Sequence, residues 1–398
     1  MPDSARDPVI DALRGVALLG ILAANLPFFG MPGGVAGSWW RAEFPGAPDL
    51  AAAFIIRAAF ENTFILIFSF LFGYGAARQL ESGNAAWFRK RLLVLAGFGI
   101  VHALLFWAGD ILLAYALIGL ALPAAVRWPV KRLLRAAIVL WVAAIIGNAV
   151  IGIALAILHP PLPDAVAALA LFRSRDIAAM FGIRLAEWAE FYIFGSFVLA
   201  PLIAGAFFVG AAARKTFAGR PFAAMLPAAE RLRRAIFWPA LLSSPAYGAL
   251  AVAPKQWAGG ALIAPEVILR AISSPLLATL IFAATLRFLL WAADWRLTQI
   301  FALNGRMSLS VYIGQSVLMA LLFHGYAVGA YGMIGPAWGL GVALAIFALM
   351  SLAAALWRRH FGQGPLEALS ARLTGPRLGR AATTSAPQEE AMQGRPGQ

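Results

Sequence analysis

Arg89-Lys90-Arg91-Leu92-Leu93-Val94-Leu95-Ala96-Gly97-Phe98-Gly99-Ile100-Val101-His102-Ala103-Leu104-Leu105 sets three adjacent cations against an apolar run that continues through Phe106-Trp107-Ala108-Gly109 and stops at Asp110. As a helix rising 1.5 Å per residue, Leu92 to Gly109 is about 27 Å long, close to the thickness of a bilayer's hydrocarbon layer. Cations at one end of such a run orient a membrane span. The pattern repeats along the chain. About ten segments of span length can be laid out, centred near Ala17, Phe68, Ile100, Ala116, Ile146, Val198, Ala246, Ile281, Val317 and Ala345. With 62% hydrophobic and 13% charged residues among 398, and a mean hydropathy of +0.79, the chain holds more apolar side chain than one soluble core encloses. The expected fold is an all-α polytopic integral membrane helix bundle of about ten transmembrane helices.

Starting in the cytoplasm and alternating sides, this layout puts 25 of the 32 Lys and Arg inside and 7 outside, namely Arg41, Arg57, Arg173, Arg175, Arg184, Lys255 and Arg270. Under the positive-inside rule both termini are expected in the cytoplasm, for a multi-pass protein of the bacterial inner membrane. The formal charge of +14 then reads as orientation and contact with anionic membrane lipid, with no nucleic-acid partner expected. Asp3, Asp7 and Asp11 stand against Arg6 and Arg14, so the start lacks the positive region of a signal peptide and the first span is expected to be retained. Absence of cysteine excludes disulfides, a thiol nucleophile and thiolate metal sites. His102, His159, His324 and His360 are too dispersed for metal-ligand spacing, so neither a metal nor a permanently bound cofactor is expected.

Residues 1–373 read as a single transmembrane domain, because no linker and no fixed-period repeat divides them. The largest outer loop, about His159 to Glu187, opens with Pro160, Pro161 and Pro163, which break the fifth span; the remainder suits an amphipathic helix at the interface. Residues 374–398, rich in Pro, Gly, Ser, Thr, Gln and charge, read as a disordered cytoplasmic tail.

Asp11-Ala12-Leu13-Arg14-Gly15-Val16-Ala17-Leu18-Leu19-Gly20-Ile21, ending at Asn25, is followed by Phe68-Ser69-Phe70-Leu71-Phe72-Gly73-Tyr74-Gly75, then by Arg91-Leu92 through Phe98-Gly99 to His102. Gly109-Asp110-Ile111-Leu112 with Tyr115 come next, then Gly305-Arg306-Met307-Ser308-Leu309-Ser310 with Tyr312, Gln315 and Ser316, and finally Gly364-Pro365-Leu366-Glu367. In that order, from about residue 5 to 373, these motifs resemble the YeiB-like family of bacterial membrane proteins, whose C-terminal half is domain of unknown function 418. The resemblance divides the chain into an N-terminal half at 5–158 and a C-terminal family half at 186–373. Ser308, Ser310 and Val311 depart from the family's Ala, Thr and Asn; Asn62-Thr63 stand where Gly-Lys is common; Ala368 and Ser370 stand where tryptophans are usual. The opening motif also looks like that of a wider superfamily of transmembrane acyltransferases, similar in its Asp, its Arg and a polar residue fourteen positions after the Asp. That residue is Asn25 here. In acyltransferase family three it is usually histidine, so no catalytic histidine carries over to this position.

A polar side chain inside a span costs a few kcal/mol unless it meets a partner, a cavity or water, which makes such residues the site candidates. Asn25 lies about 16 Å along the first helix from Arg14. Glu61 and Asn62 open the second span from outside, His102 sits about two-thirds of the way out along the third, and Asp110 marks its outer end. Asn25, Glu61, His102 and Asp110 are therefore the catalytic candidates on the outer side. On one continuous helix His102 and Asp110 stand about 12 Å apart and within about 80° of each other, flanking a cavity without hydrogen-bonding. For His102 two readings stay open, proton transfer to or from an acceptor, or a hydrogen bond for helix packing. For Asp110 they are a role in the site or a cap on the fourth span.

Arg14, Arg91 and Arg306 fall near inner span ends, with Asp11 beside Arg14. They can bind the phosphates of an acyl-coenzyme A donor, or snorkel and pair with Asp11. Gly73 and Gly75 read as close helix packing, since Phe70 to Gly75 lacks the Lys-Ser/Thr of a nucleotide loop. Tyr312 and Gln315 count as structural motif residues, Gln315 and Asn148 as interhelical hydrogen bonders, and Glu187 and Glu190 as carboxylates opening the sixth span. The leading expectation, whose reaction type the superfamily resemblance supplies, is a membrane-bound O- or N-acyltransferase. It would use acyl-coenzyme A as co-substrate and an envelope glycan, lipid or small molecule as acceptor. A small-solute transporter or exporter and a non-catalytic envelope scaffold are the alternatives.

Overall fold

The computed structural model describes residues 7–33, 39–81, 83–158, 164–254 and 260–376. The prolines at 160–163, Lys255, Trp257 and the tail from 377 onward lie outside them. Among the described residues the structure is helical, with no strand. In order come α1 (Pro8–Gly30), α2 (Trp39–Glu43), α3 (Ala47–Ile55), α4 (Thr63–Leu80), α5 (Ala85–Leu105), α6 (Leu112–Gly119), α7 (Leu122–Ala125), α8 (Val130–Leu158) and α9 (Ala165–Arg173). Then follow α10 (Ile177–Val198), α11 (Ala200–Thr216), α12 (Leu226–Val252), α13 (Ile263–Trp291), α14 (Arg296–Arg306), α15 (Ser308–Phe323), α16 (Pro336–His360) and α17 (Pro365–Thr374). Local chemistry sets the boundaries. The Asp7 carboxylate accepts from the Val9 amide with Pro8 at the first helical position, and Asn84 accepts from the Trp87 amide.

Among the described residues six helices are long and apolar enough to cross a membrane, or seven if α14 and α15, bent by 90° at Met307, form one broken span. The multi-pass all-α reading holds, while the count falls short of ten by these criteria. The segment near Ile100 is the 21-residue α5, whose first turns hold Arg89, Lys90 and Arg91. That near Ala116 is the eight-residue α6, about 12 Å long and too short to cross alone. That near Val198 falls on the break between α10 and α11, and α10 begins at Ile177, ahead of the Glu187 expected to open a span.

Lipid as solvent shows most clearly on α8. Leu133, Ala137, Ala144, Asn148 and Gly152 face inward, while Ile138, Val139, Val142, Ile146, Val150, Ile153 and Ile157 are exposed. An apolar outer stripe around a small-residue inner face suits a helix packed on one side and bathed in hydrocarbon on the other. Glycines set the closest crossings. A Cβ on Gly73 would strike the Phe207 backbone and one on Gly210 the Phe70 backbone, so α4 and α11 touch main chain to main chain. Gly15 against Phe301 and Gly305 against Asp11 do the same for α1 and α14. A side chain is therefore excluded at Gly73, and Gly75 lies beside the Arg14 guanidinium.

Two departures from the family motifs acquire a physical basis. Asn62 adopts φ +58°, the sole positive-φ non-glycine among the described residues, where a family glycine is free to sit and asparagine is the next most tolerant residue. Ser310 keeps the hydroxyl that a threonine would supply: it donates to Glu367 at 2.5 Å, while the same carboxylate accepts from the Leu309 amide at 2.8 Å. Glu367 thus closes the N-terminus of α15 from α17.

Candidate functional site

α5 stops at Leu105, because the amides of Phe106 and Trp107 both turn back to the His102 carbonyl, at 2.9 and 3.1 Å. The chain then folds Asp110 back against the helix it has just left. Asp110 Oδ1 lies 2.9 Å from His102 Nδ1, with both side chains fully buried. The expectation that these residues stand apart on one helix is therefore corrected: the break after Leu105 makes the bond possible. Gly99, one turn before His102, makes the room, since a Cβ there would lie 2.5 Å from the Leu113 amide and 2.6 Å from Asp110 Oδ2. Asp110 Oδ2 also accepts from the Leu113 amide at 2.9 Å, so the cap on α6 and the pairing with His102 hold together.

Two residues of α10 support this corner. Tyr192 donates to the Asp110 carbonyl at 3.2 Å, and Arg184 donates to the Leu105 carbonyl at 2.5 Å, placing a cation at the C-terminal end of α5. The other arm of Arg184 lies 3.0 Å from His324 Nδ1, beyond the end of α15. Burial first, and the Arg184 charge second, lower the His324 pKa to about 4, so its ring is neutral at pH 7.

Because a carboxylate only accepts, His102 Nδ1 is the donor to Asp110, which leaves Nε2 as the ring nitrogen facing away from it. Nε2 is buried and has no hydrogen-bond partner among the described residues. The Tyr312 ring lies 5.2 Å from the imidazole, and both its hydroxyl and Gln315 Nε2 are buried and equally unpartnered. An unpaired buried group costs about 1–3 kcal/mol. His102 and Tyr312, in ring contact, and Gln315, one turn further along α15, therefore hold unused hydrogen-bonding capacity, as a site for a reacting group would.

The other candidates separate from this corner. Asn25 is half-buried, one turn before Phe29, whose ring lies 4.7 Å from that of Trp107 in the loop between His102 and Asp110. Glu61 does not join His102. It belongs to a buried cluster in which Arg57 pairs at 2.5 Å with both Glu61 and Glu266, Tyr247 donates to Glu61 at 2.6 Å, and Arg270 reaches Glu61 at 3.4 Å and Asn148 at 3.1 Å. Arg57, Glu266, Arg270 and Tyr247 were not among the sequence candidates. Their signal was present: Arg57 and Glu61, like Glu266 and Arg270, are four residues apart within apolar stretches. Arg57, counted with the outer cations, is instead buried in the π-helical turn Ile56–Phe60 just before Asn62.

Of the three arginines expected to meet phosphate, two come together. Asp11, itself buried, lies 3.4 Å from Arg14 and 3.3 Å from Arg306, whose guanidiniums are partly exposed. Arg91 instead donates to Gln79 at 2.7 Å. Among the described residues no group of three or more His, Asp or Glu could hold a metal ion.

Residues 220–376 match the family described as "Protein of unknown function (DUF418)". The chain is 29% identical to "Uncharacterized protein YxaH" of Bacillus subtilis (strain 168), across 90% of this chain and 92% of that protein. It is 39% identical to "Uncharacterized protein YeiB" of Escherichia coli (strain K12) over 117 residues, 29% of this chain and 30% of YeiB. No solved structure matches it.

Proposed function

Taking the chain as a YeiB-like multi-pass membrane protein, we propose that it transfers an acyl group from an acyl-coenzyme A donor on the cytoplasmic side to a hydroxyl or amine acceptor on the outer side. One observation carries the reading: His102 is oriented by Asp110 through Nδ1 and leaves Nε2 unpaired in a buried position. A neutral imidazole held that way is a general base for an acceptor O–H or N–H, and proton transfer of this kind contributes about 10²–10⁴-fold in rate. The reaction class itself rests on the likeness of the opening motif to the acyltransferase superfamily. Arg14 and Arg306 are the residues to meet donor phosphate, since a planar guanidinium pairs with two phosphate oxygens.

Binding of acyl-coenzyme A to the purified protein, over several chain lengths and salt concentrations, tests the donor half. Saturable binding that weakens with salt and falls several-fold in Arg14→Lys is expected, because lysine keeps the charge but loses the fork. No saturable binding would remove the donor. The orientation follows from the basic residues: reporter fusions after Arg173 should read outside and after Ala218 inside, and the reverse would put donor and acceptor on the wrong sides.

A second reading, proton-coupled export of a small solute, draws on Arg57, Glu61, Glu266 and Arg270, four ionisable groups inside the spans. Alternating inward- and outward-open cavities around that cluster would favour it.

A further inference from the structure

His102 supplies a base, but acyl transfer also needs donors for the oxygen on which charge develops. We propose that the Tyr312 hydroxyl and the Gln315 side-chain amide are those donors, forming an oxyanion pocket for the carbonyl of a thioester; this rests on the acyl-transfer reading. Tyr312 and Gln315 stand three residues apart on α15, so their side chains leave the same face about one turn apart. Both are at least nine-tenths buried, at 5% and 2% exposure, as is His102 at 1%. The Tyr312 hydroxyl and Gln315 Nε2 have no hydrogen-bond partner among the described residues, and the Tyr312 ring sits 5.2 Å from the imidazole. The Ile111 amide lies beside the Tyr312 oxygen, and since an amide N–H can only donate to it, the phenolic proton is left to donate.

Two donors beside one acceptor complement a group with an oxygen to be held and a proton to be lost. An acyl carbonyl meeting an acceptor O–H or N–H presents that pair. As the acceptor atom bonds to the thioester carbon, its proton passes to His102 Nε2 and the carbonyl π electrons move onto oxygen, between Tyr312 and Gln315. Collapse reforms the carbonyl and breaks the carbon–sulfur bond, and the departing thiolate takes the proton from His102. No oxidant, reductant or metal enters the balance.

The test compares wild type, Tyr312→Phe, Gln315→Met and His102→Gln in phosphatidylethanolamine–phosphatidylglycerol vesicles. It measures thiol release from acetyl- and palmitoyl-coenzyme A, with thermal unfolding of each protein alongside. The expected result is a loss of about tenfold to a thousandfold in kcat for each donor variant, with little change in KM and an unfolding temperature equal to or above wild type. A residue needed only for packing would instead lower the unfolding temperature. Rates within twofold of wild type in both donor variants, with His102→Gln inactive, would overturn the donor assignment and leave the base standing. Wild-type rates in His102→Gln, or no release by the wild type, would overturn the acyl-transfer reading and the donor pocket with it. Should Tyr312→Phe fail to fold, Gln315→Met decides.

Discussion

Two polar clusters among the described residues differ in what balances them: the one around Arg57 pairs opposite charges, although Arg57 Nε and Nη1 and Arg270 Nε make no hydrogen bond, and the one around His102 is mostly uncharged hydrogen-bonding groups. Around Arg57 two cations and two carboxylates neutralise one another, with Tyr247 and Asn148 taking further bonds. Around His102 the Asp110 side is bonded, while Nε2, the Tyr312 hydroxyl and Gln315 Nε2 make no hydrogen bond among the described residues. Closed charge balance holds helices together, whereas open capacity in a buried place waits for a ligand. Depth and polarity alone did not separate Glu61 from His102; the bonding did.

The largest expected effect lies in the closed cluster. Arg57→Leu removes the buried guanidinium that joins Glu61 to Glu266 and should destabilise the protein by about 3–5 kcal/mol, read by thermal unfolding in detergent. Adding Glu266→Leu should return part of that loss. A change below about 1 kcal/mol in the single variant would show that the cluster is hydrated and not structural.

Next comes the flank of the open corner, where acid should act. His324 holds a folded-state pKa of about 4, below the ordinary value of about 6.5, so the unfolded chain binds its proton more readily. Stability from this group is complete above pH 6.5 and is lost as pH falls toward 4, by up to about 3 kcal/mol. His324→Gln should flatten that part of the stability–pH curve. An unchanged acid slope would mean that the ring is not held neutral against Arg184.

Gly99→Ala should cost about 1–3 kcal/mol through overpacking, because the added methyl meets Asp110 Oδ2 and the Leu113 amide. It should also cost activity by displacing Asp110 from His102. Normal turnover in Gly99→Ala would sever the dyad from function.

What could be read from the sequence divides along the same line. Apolar run length and basic flanks gave the multi-pass helical class, since hydrocarbon imposes both on every span. They did not show that the segment near Ala116 is the short helix α6, nor that the helix near Val198 breaks at Leu199. His102 and Asp110 were both visible as intramembrane polar residues. Their bond was not, because it depends on a helix ending at Leu105 inside an unbroken apolar run. Glu61 was visible, but not its distant partners, since Tyr247 and Arg270 lie some two hundred positions away in the chain. That the Tyr312 hydroxyl and Gln315 Nε2 make no hydrogen bond among the described residues was not legible, because nothing in a sequence marks a hydrogen bond left unmade.

The most direct measurement is thiol release from acyl-coenzyme A by His102→Gln beside wild type in the same vesicles. Glutamine can still donate to Asp110 but cannot take a proton, so the expected result is a folded variant slower by at least about a hundredfold. Equal rates in the two proteins would contradict a catalytic role for His102.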